Sequence, residues 1–337
     1  MQTTERAVLL SKLADLRPDQ FEQLALEVFR YQAAENPLYA RYLQLLQRPS
    51  GPVQTLSGIP FLPVSLFKRH TIRTGSWQPR LLFSSSSTSG QTPSRHLVRD
   101  PNFYLQNSRR GFSQFYGDPS EWCILALLPA YLERPGSSLV AMTDFFIRLS
   151  KYQQSGFFLN NLDELAGRLD TCRSGRIPTL LLGVSYALLD LAERFPMDLS
   201  GLTIMETGGM KGRRREITRQ ELHSALCQAF QVPGIHSEYG MTELFSQAYR
   251  IPGLSTDHIA PFRPARTMRA YTREIHDPFC PLDSGRTGVL HFIDLANLDT
   301  CSFIASEDVG KAYADGAFDV LGRLDAAEMR GCNLMVE

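Results

Sequence analysis

The chain has 337 residues, and its 35 Lys+Arg balance its 35 Asp+Glu, so the formal charge is zero. That balance gives no electrostatic reason to expect nucleic acid or an anionic membrane surface as partner. A hydrophobic content of 43% suffices for one large domain or two with a sizeable core, while no apolar run reaches the ~18 residues of a spanning helix.

The amino terminus, MQTTERAVLLSKLADL, is too charged for a secretory signal and reads as helix, with Leu9, Leu10, Leu13 and Leu16 on one face. The pattern continues to residue 47, broken at Pro18 and again at Pro37, where Asn36 is the expected cap. Residues 48–68 are rich in Pro, Gly and Ser and predict an irregular connector whose segment IPFLPVSLFK packs on the core. From residue 80 onward, apolar runs alternate with helical patterns. Helices are expected over 101–117, 138–151, 161–175 and 215–230, a buried strand at 122–129, and a strand and turn over 201–209. Residues 178–196 read as strand, turn and helix.

This alternation predicts an α/β fold, a mostly parallel sheet covered by helices on both faces. Beyond 250, short Gly-punctuated runs at 286–297 and 317–328 predict a smaller antiparallel sheet. The expected organisation is a helical segment 1–60, an α/β core 61–300 and a terminal segment 301–337. Six cysteines lie scattered without a C-x-x-C pair, as expected of free thiols in a reducing cytoplasm, and the seven histidines lack metal-ligand spacing.

Four motifs carry possible chemistry. The run 84-SSSSTSG-90 follows a strand, and its N–H and O–H groups could wrap a phosphate, although serine-rich surface loops are common. No G-K-[ST] follows, so P-loop chemistry is out. In 236-HSEYGMTELFSQ-247, Tyr239, Thr242 and Glu243 share one tight turn, and Gly240 would let a ligand approach the backbone. The alternative is an ordinary strand-to-helix turn capped by Thr242. The acidic turn 306-SEDVG-310 offers Asp308 to a diol, and 321-LGRLDAAEMRGC-332 offers Arg323. Singly, these last two read as solvated surface charges.

Taken in order, the hydroxyl loop, Y-G-x-T-E, E-D-x-G and G-R-x-D resemble the adenylate-forming (acyl- and aryl-CoA synthetase-like) superfamily. The runs 205-METGGMKGRR-214 and 293-IDLANLDTCSFIASEDVG-310, with the terminal G-R-x-D-x-x-x-x-R-G-C, resemble its acyl-protein synthetases of LuxE type. The similarity covers most of the chain and is weakest over the first 60 residues.

The resemblance implies the large N-terminal-type domain of those enzymes, ATP and Mg²⁺ as cofactors, and acyl-AMP as intermediate. It implies that Ser85, Ser86, Thr88, Ser89 and Gly90 orient phosphates, and that Tyr239 stacks near adenine beside Gly208, Gly209 and Gly240. By the same resemblance, Thr242 contacts the α-phosphate, Glu243 holds Mg²⁺, and Asp308 binds the ribose with help from Arg323. Cys332 becomes the acyl acceptor, with Arg330 favouring its thiolate. The implied substrate is a fatty or other carboxylic acid, and the implied partner an acyl-accepting reductase or carrier protein.

Three departures stand out. Ser87 replaces the usual glycine of the loop, and no lysine follows Pro93, where Arg95 is the nearest cation. The chain is also expected to lack the small mobile C-terminal domain and its lysine, for which Lys211 is the candidate substitute. Two alternatives follow: a ligase that passes its acyl group to CoA or a carrier-protein thiol, or a silent subunit that binds nucleotide or an acyl partner.

Overall fold

The computed structural model describes residues 2–46, 53–85, 92–129, 136–208, 215, 217–253 and 260–324. The chain divides into two units interleaved in sequence. One comprises Pro101–Thr242 and Gln247–Ala265; the other comprises Met1–Asp100, Glu243–Ser246 and Arg266–Glu337.

The first unit is built on a seven-stranded sheet. His236–Tyr239, Thr203–Thr207, Thr179–Val184, Cys123–Leu127 and Gly156–Phe157 lie side by side and parallel. Ala248–Arg250 and then Arg263–Pro264 extend the sheet in antiparallel pairing. The helices are Pro101–Tyr116, Ser138–Leu149, Leu162–Ser174, Ser185–Arg194 and Arg219–Phe230. Local chemistry starts several of them. Asn161 accepts the Glu164 N–H, and Thr218 with Glu221 forms a capping box. Cys123–Leu127 and Thr179–Val184 are buried at every residue, which explains their unbroken apolar sequence.

The second unit holds a five-stranded sheet. Met268–Arg273, Thr287–Asp294, Phe303–Ala312 and Phe318–Arg323 pair antiparallel in succession. The connector expected to be irregular supplies a fifth strand, Leu62–Pro63, parallel to Ile304–Ala305, and a short helix, Leu66–Arg69. Those two strand residues pair with a stretch some 240 positions away, so no local pattern announces them. A separate hairpin pairs Leu81–Ser84 with Arg95–Val98.

The helices Gln2–Ala14, Phe21–Glu35 and Pro37–Leu45 belong to this second unit. Asn36 caps the third as expected, accepting the Tyr39 N–H at 3.0 Å. Its amide also donates to Thr300 O at 2.8 Å. Gln32, fully buried, donates to Asn297 O and Leu298 O and accepts the Ser302 N–H. Buried amides of this kind are retained because each of their polar atoms finds a partner. Arg6 clamps both oxygens of Asp299 at 2.6 Å.

Among the described cysteines, Cys123, Cys172 and Cys301 are buried free thiols, Cys227 is half-buried and Cys280 exposed. No described helix is long and apolar enough to cross a membrane.

Candidate functional site

The hydroxyl-rich loop leaves the hairpin after Ser84, which pairs with Arg95. Its base is closed by two bonds: the Ser85 N–H donates to Ser94 O at 3.2 Å, and the Ser94 N–H donates to Ser85 Oγ at 2.9 Å. Ser86, Thr88, Ser89 and Gly90 lie outside the described residues. Ser94 is buried, and its hydroxyl bonds the carboxylate of Glu243, itself only 6% exposed. Burial pushes Glu243 above the usual carboxylate range. The Ser94 bond and the charges of Arg323 and Lys68 pull the other way.

Glu243 sits in a short segment, Glu243–Ser246, pinned by two buried side chains of the same unit. Asp294 accepts the N–H groups of Phe245 and Ser246 at 2.8 and 2.9 Å and the Ser246 hydroxyl at 2.6 Å. Asn297 donates to Glu243 O at 2.7 Å and accepts from the Phe245 N–H at 3.1 Å. Ser94 and Lys68, which lie outside the motifs, and Asp294 and Asn297, which the run 293–310 contains without a role assigned to them, join the candidate site around Glu243. The D-L-A-N within 293–310 was the one available signal, since paired polar residues inside an apolar strand end must find buried partners.

Asp308 and Arg323 face each other as partners in the antiparallel pair of Phe303–Ala312 with Phe318–Arg323. The segment 306–310 is therefore strand and not the acidic turn expected from its charges. Its irregularity is a register shift between Val309 and Gly310. The Asp308 N–H donates to Ser306 Oγ at 3.1 Å, and Arg323 Nη2 donates to Glu307 Oε2 at 3.0 Å.

The remaining candidates belong to the parallel unit. Thr207 and Glu238 are register partners, so Gly208 and Tyr239 follow at the carboxyl ends of adjacent strands. Gly208 adopts φ +70°, which an L side chain disfavours. The Tyr239 hydroxyl donates to Met241 Sδ at 3.2 Å, and its ring lies 5.7 Å from Phe262. A Cβ on Gly240 would come within 2.7 Å of Glu238 Oε1, so the missing side chain makes room for a buried carboxylate.

Burial raises Glu238 to about 7, although it accepts the Thr207 hydroxyl. Burial would also raise Glu206, but His223, Arg219 and Ser237 hold it below its usual value. Thr242 caps no helix, because the turn runs on to the strand Ala248–Arg250. Gly209, Lys211, Arg330 and Cys332 lie outside the described residues.

One unit thus gathers Ser85, Ser94, Glu243, Asp308 and Arg323, and the other gathers Gly208, Tyr239, Gly240 and Thr242. Among the described residues, no cluster of three His, Cys, Asp or Glu could by itself hold a metal ion.

No protein-family model and no curated protein matches the chain. Solved structures do. ATP-bound MatB from Rhodopseudomonas palustris aligns at TM-score 0.51 and 14% identity, over 72% of this chain and 47% of that one. The O-succinylbenzoate coenzyme A synthetase MenE from Bacillus subtilis, in complex with AMP, aligns at TM-score 0.51 and 16% identity, over 72% and 49%. An open conformation of 2-hydroxyisobutyryl-CoA ligase, in complex with 2-HIB-AMP and CoA, aligns at TM-score 0.61 and 12% identity, over 89% and 73%. These neighbours belong to the adenylate-forming acyl/aryl-CoA synthetase superfamily. The α/β fold of this chain is that of their N-terminal domain, and the chain spans about half the length of the first two.

Proposed function

We propose that this protein activates a carboxylic acid with ATP as an acyl adenylate and passes the acyl group to a thiol. Further, we propose a fatty acid as substrate and Cys332 as first acceptor, as in the acyl-protein synthetases that the motifs resemble, with a reductase or carrier protein as final recipient. The fold supports the first step, because neighbours sharing it were solved with ATP, AMP and an acyl-AMP. One local observation carries the reading. The Ser85–Ser94 closure ties the base of the hydroxyl loop to the buried Glu243 carboxylate, with Arg323 and Lys68 adding positive charge around it.

The proposed roles follow from chemistry. A carboxylate oxygen attacks the α-phosphorus, pyrophosphate leaves, and charge on the phosphate oxygens is met by N–H groups, hydroxyls and cations. Ser85, Ser86, Thr88, Ser89 and Gly90 would hold the outer phosphates, and Thr242 the α-phosphate. Tyr239 would stack on adenine beside Gly208, Gly209 and Gly240, while Asp308 and Arg323 hold the ribose. A single carboxylate such as Glu243 fits Mg²⁺, which usually keeps waters and takes its other ligands from substrate phosphates. Bound there, Mg²⁺ would neutralise developing phosphate charge. Lys211 remains the candidate for positive charge at the reacting carboxylate, and Lys68 is a second cation beside Glu243. The Cys332 thiolate then attacks the acyl carbonyl and expels AMP.

The test is intact mass after incubation with Mg-ATP and a panel of fatty and aromatic acids, alongside pyrophosphate release. The expected result is one acyl group per chain, absent in Cys332→Ser, with pyrophosphate release cut about a hundredfold or more in Glu243→Gln. Acid-dependent pyrophosphate release without an adduct would move the thiol to CoA or a carrier protein. Absence of both the adduct and acid-dependent pyrophosphate release would overturn the reading in favour of a binding subunit.

A further inference from the structure

The chain enters the Leu81–Ser84/Arg95–Val98 hairpin through Arg80 and leaves it through Arg99. The Arg80 N–H donates to Val98 O at 2.9 Å, so the two arginines flank the same end of the ladder. Beside them lies a cleft of about 430 Å³, lined by Arg6, Trp77, Gln78, Pro79, Arg80, Arg99 and Asp100, all in one unit.

Charge in this cleft is unevenly spent. Asp299 serves two guanidiniums, both of its oxygens on Arg6 at 2.6 Å and Oδ1 also on Arg99 Nη1 at 3.1 Å. Arg99 keeps most of its N–H donors and lies 6.0 Å from the centroid of Trp77, at the outer reach of a cation–π contact. The indole N–H is spent on Thr74 O at 2.9 Å, leaving an apolar ring as wall. Arg80 is exposed and makes no ion pair or side-chain hydrogen bond among the described residues. Asp100 is the one carboxylate on the lining itself.

We propose that this cleft is a second anion site, separate from the hydroxyl loop, for a small organic polyanion bearing carboxylate or phosphate groups. Arginine forks match both groups bidentately, and Arg80 and Arg99 supply the unspent donors. The volume falls in the roughly 300–1,000 Å³ range of small-molecule pockets and has room for more than a lone tetrahedral ion. The occupant would tie together the two strands that form the hairpin base. With strands rising about 3.3 Å per residue, that base lies on the order of 13 Å from the opening of the hydroxyl loop. The assignment is independent of the ATP reading, because none of its residues takes part in that reading.

The experiment titrates the protein separately with citrate and with inorganic phosphate, by calorimetry and by Trp77 emission, using Trp77→Phe to identify the signal. The expected result is saturable binding of one anion that moves Trp77 emission and weakens with added salt. Loss of a charge-assisted contact in Arg80→Ala should weaken binding about tenfold or more, Arg80→Lys should recover part of it, and Asp100→Asn should tighten it. Citrate stronger than phosphate would assign a polycarboxylate, and the reverse a phosphorylated ligand. Arg80 is exposed, so an unchanged melting curve separates lost binding from lost folding. Equal affinities in wild type and Arg80→Ala, or no saturable signal with either probe, would overturn the proposal.

Discussion

In the parallel sheet, Cys123–Leu127 and Thr179–Val184 are buried at every position, whereas in the antiparallel sheet Phe318–Arg323 is buried at its first residue and exposed at its last three. The difference decides where polar chemistry can stand. A strand buried on both faces has no room for an unpaired charge, so the parallel sheet offers its candidates only at strand ends: Tyr239 is the last residue of its strand, and Gly208 follows the last residue of the next. A strand wet on one face can carry charge along its length, and Asp308 and Arg323 sit within the ladder.

The largest expected effect belongs to the buried part of the antiparallel sheet, where Thr287–Asp294 is exposed only at its first residue. Asp294 is fully buried and accepts from Phe245, Ser246 and Ala296 N–H groups. Asp294→Ala orphans those donors and should cost about 4 kcal/mol in urea denaturation. A tolerated substitution at this buried position would break the link between burial and the need for paired polar groups.

In the parallel sheet, Leu181 is 0% exposed, and Leu181→Ala should cost about 3 kcal/mol by the same measurement.

Glu238 gives a pH signature. It ionises near 7 in the fold against 4.5 when free, so between those values the folded state keeps a proton that the unfolded chain has lost. Its contribution is therefore complete below pH 4.5 and lost as pH rises through 7. Denaturation of wild type and Glu238→Gln across that window should show wild type losing up to about 3 kcal/mol relative to the variant. The pairing removes the opposing slope of His236, which burial lowers to about 4.

The smallest effect belongs to the exposed strand. Leu321 is 61% exposed, and Leu321→Ala should stay within about 0.5 kcal/mol of wild type.

Much of this fold was legible in local pattern. Apolar spacing placed the helices near Phe21–Glu35 and Pro101–Tyr116, Asn36 read as a cap, and continuous apolar runs read as buried strands. The motifs also marked Ser85, Glu243, Asp308 and Arg323 as residues worth watching, with roles that remain proposals. What was not legible depends on distant partners. The acidic 306–310 is strand because Phe318–Arg323 pairs with it, and Thr242 precedes a strand because Ala248–Arg250 folds back on His236–Tyr239. Lys68 gains meaning only from its charge acting on Glu243, 175 positions on.

By itself the sequence determined the periodicities, the caps and the class of fold, because backbone geometry and side-chain burial repeat over a few residues. Only the tertiary structure decided that Glu243–Ser246 belongs with Asp294 and Asn297, and that Arg6, Arg80 and Arg99 line one cleft. Buried polar groups and surplus charges take whatever partner the packed chain brings within about 3 Å, and that choice is made by the whole fold rather than by neighbours in sequence.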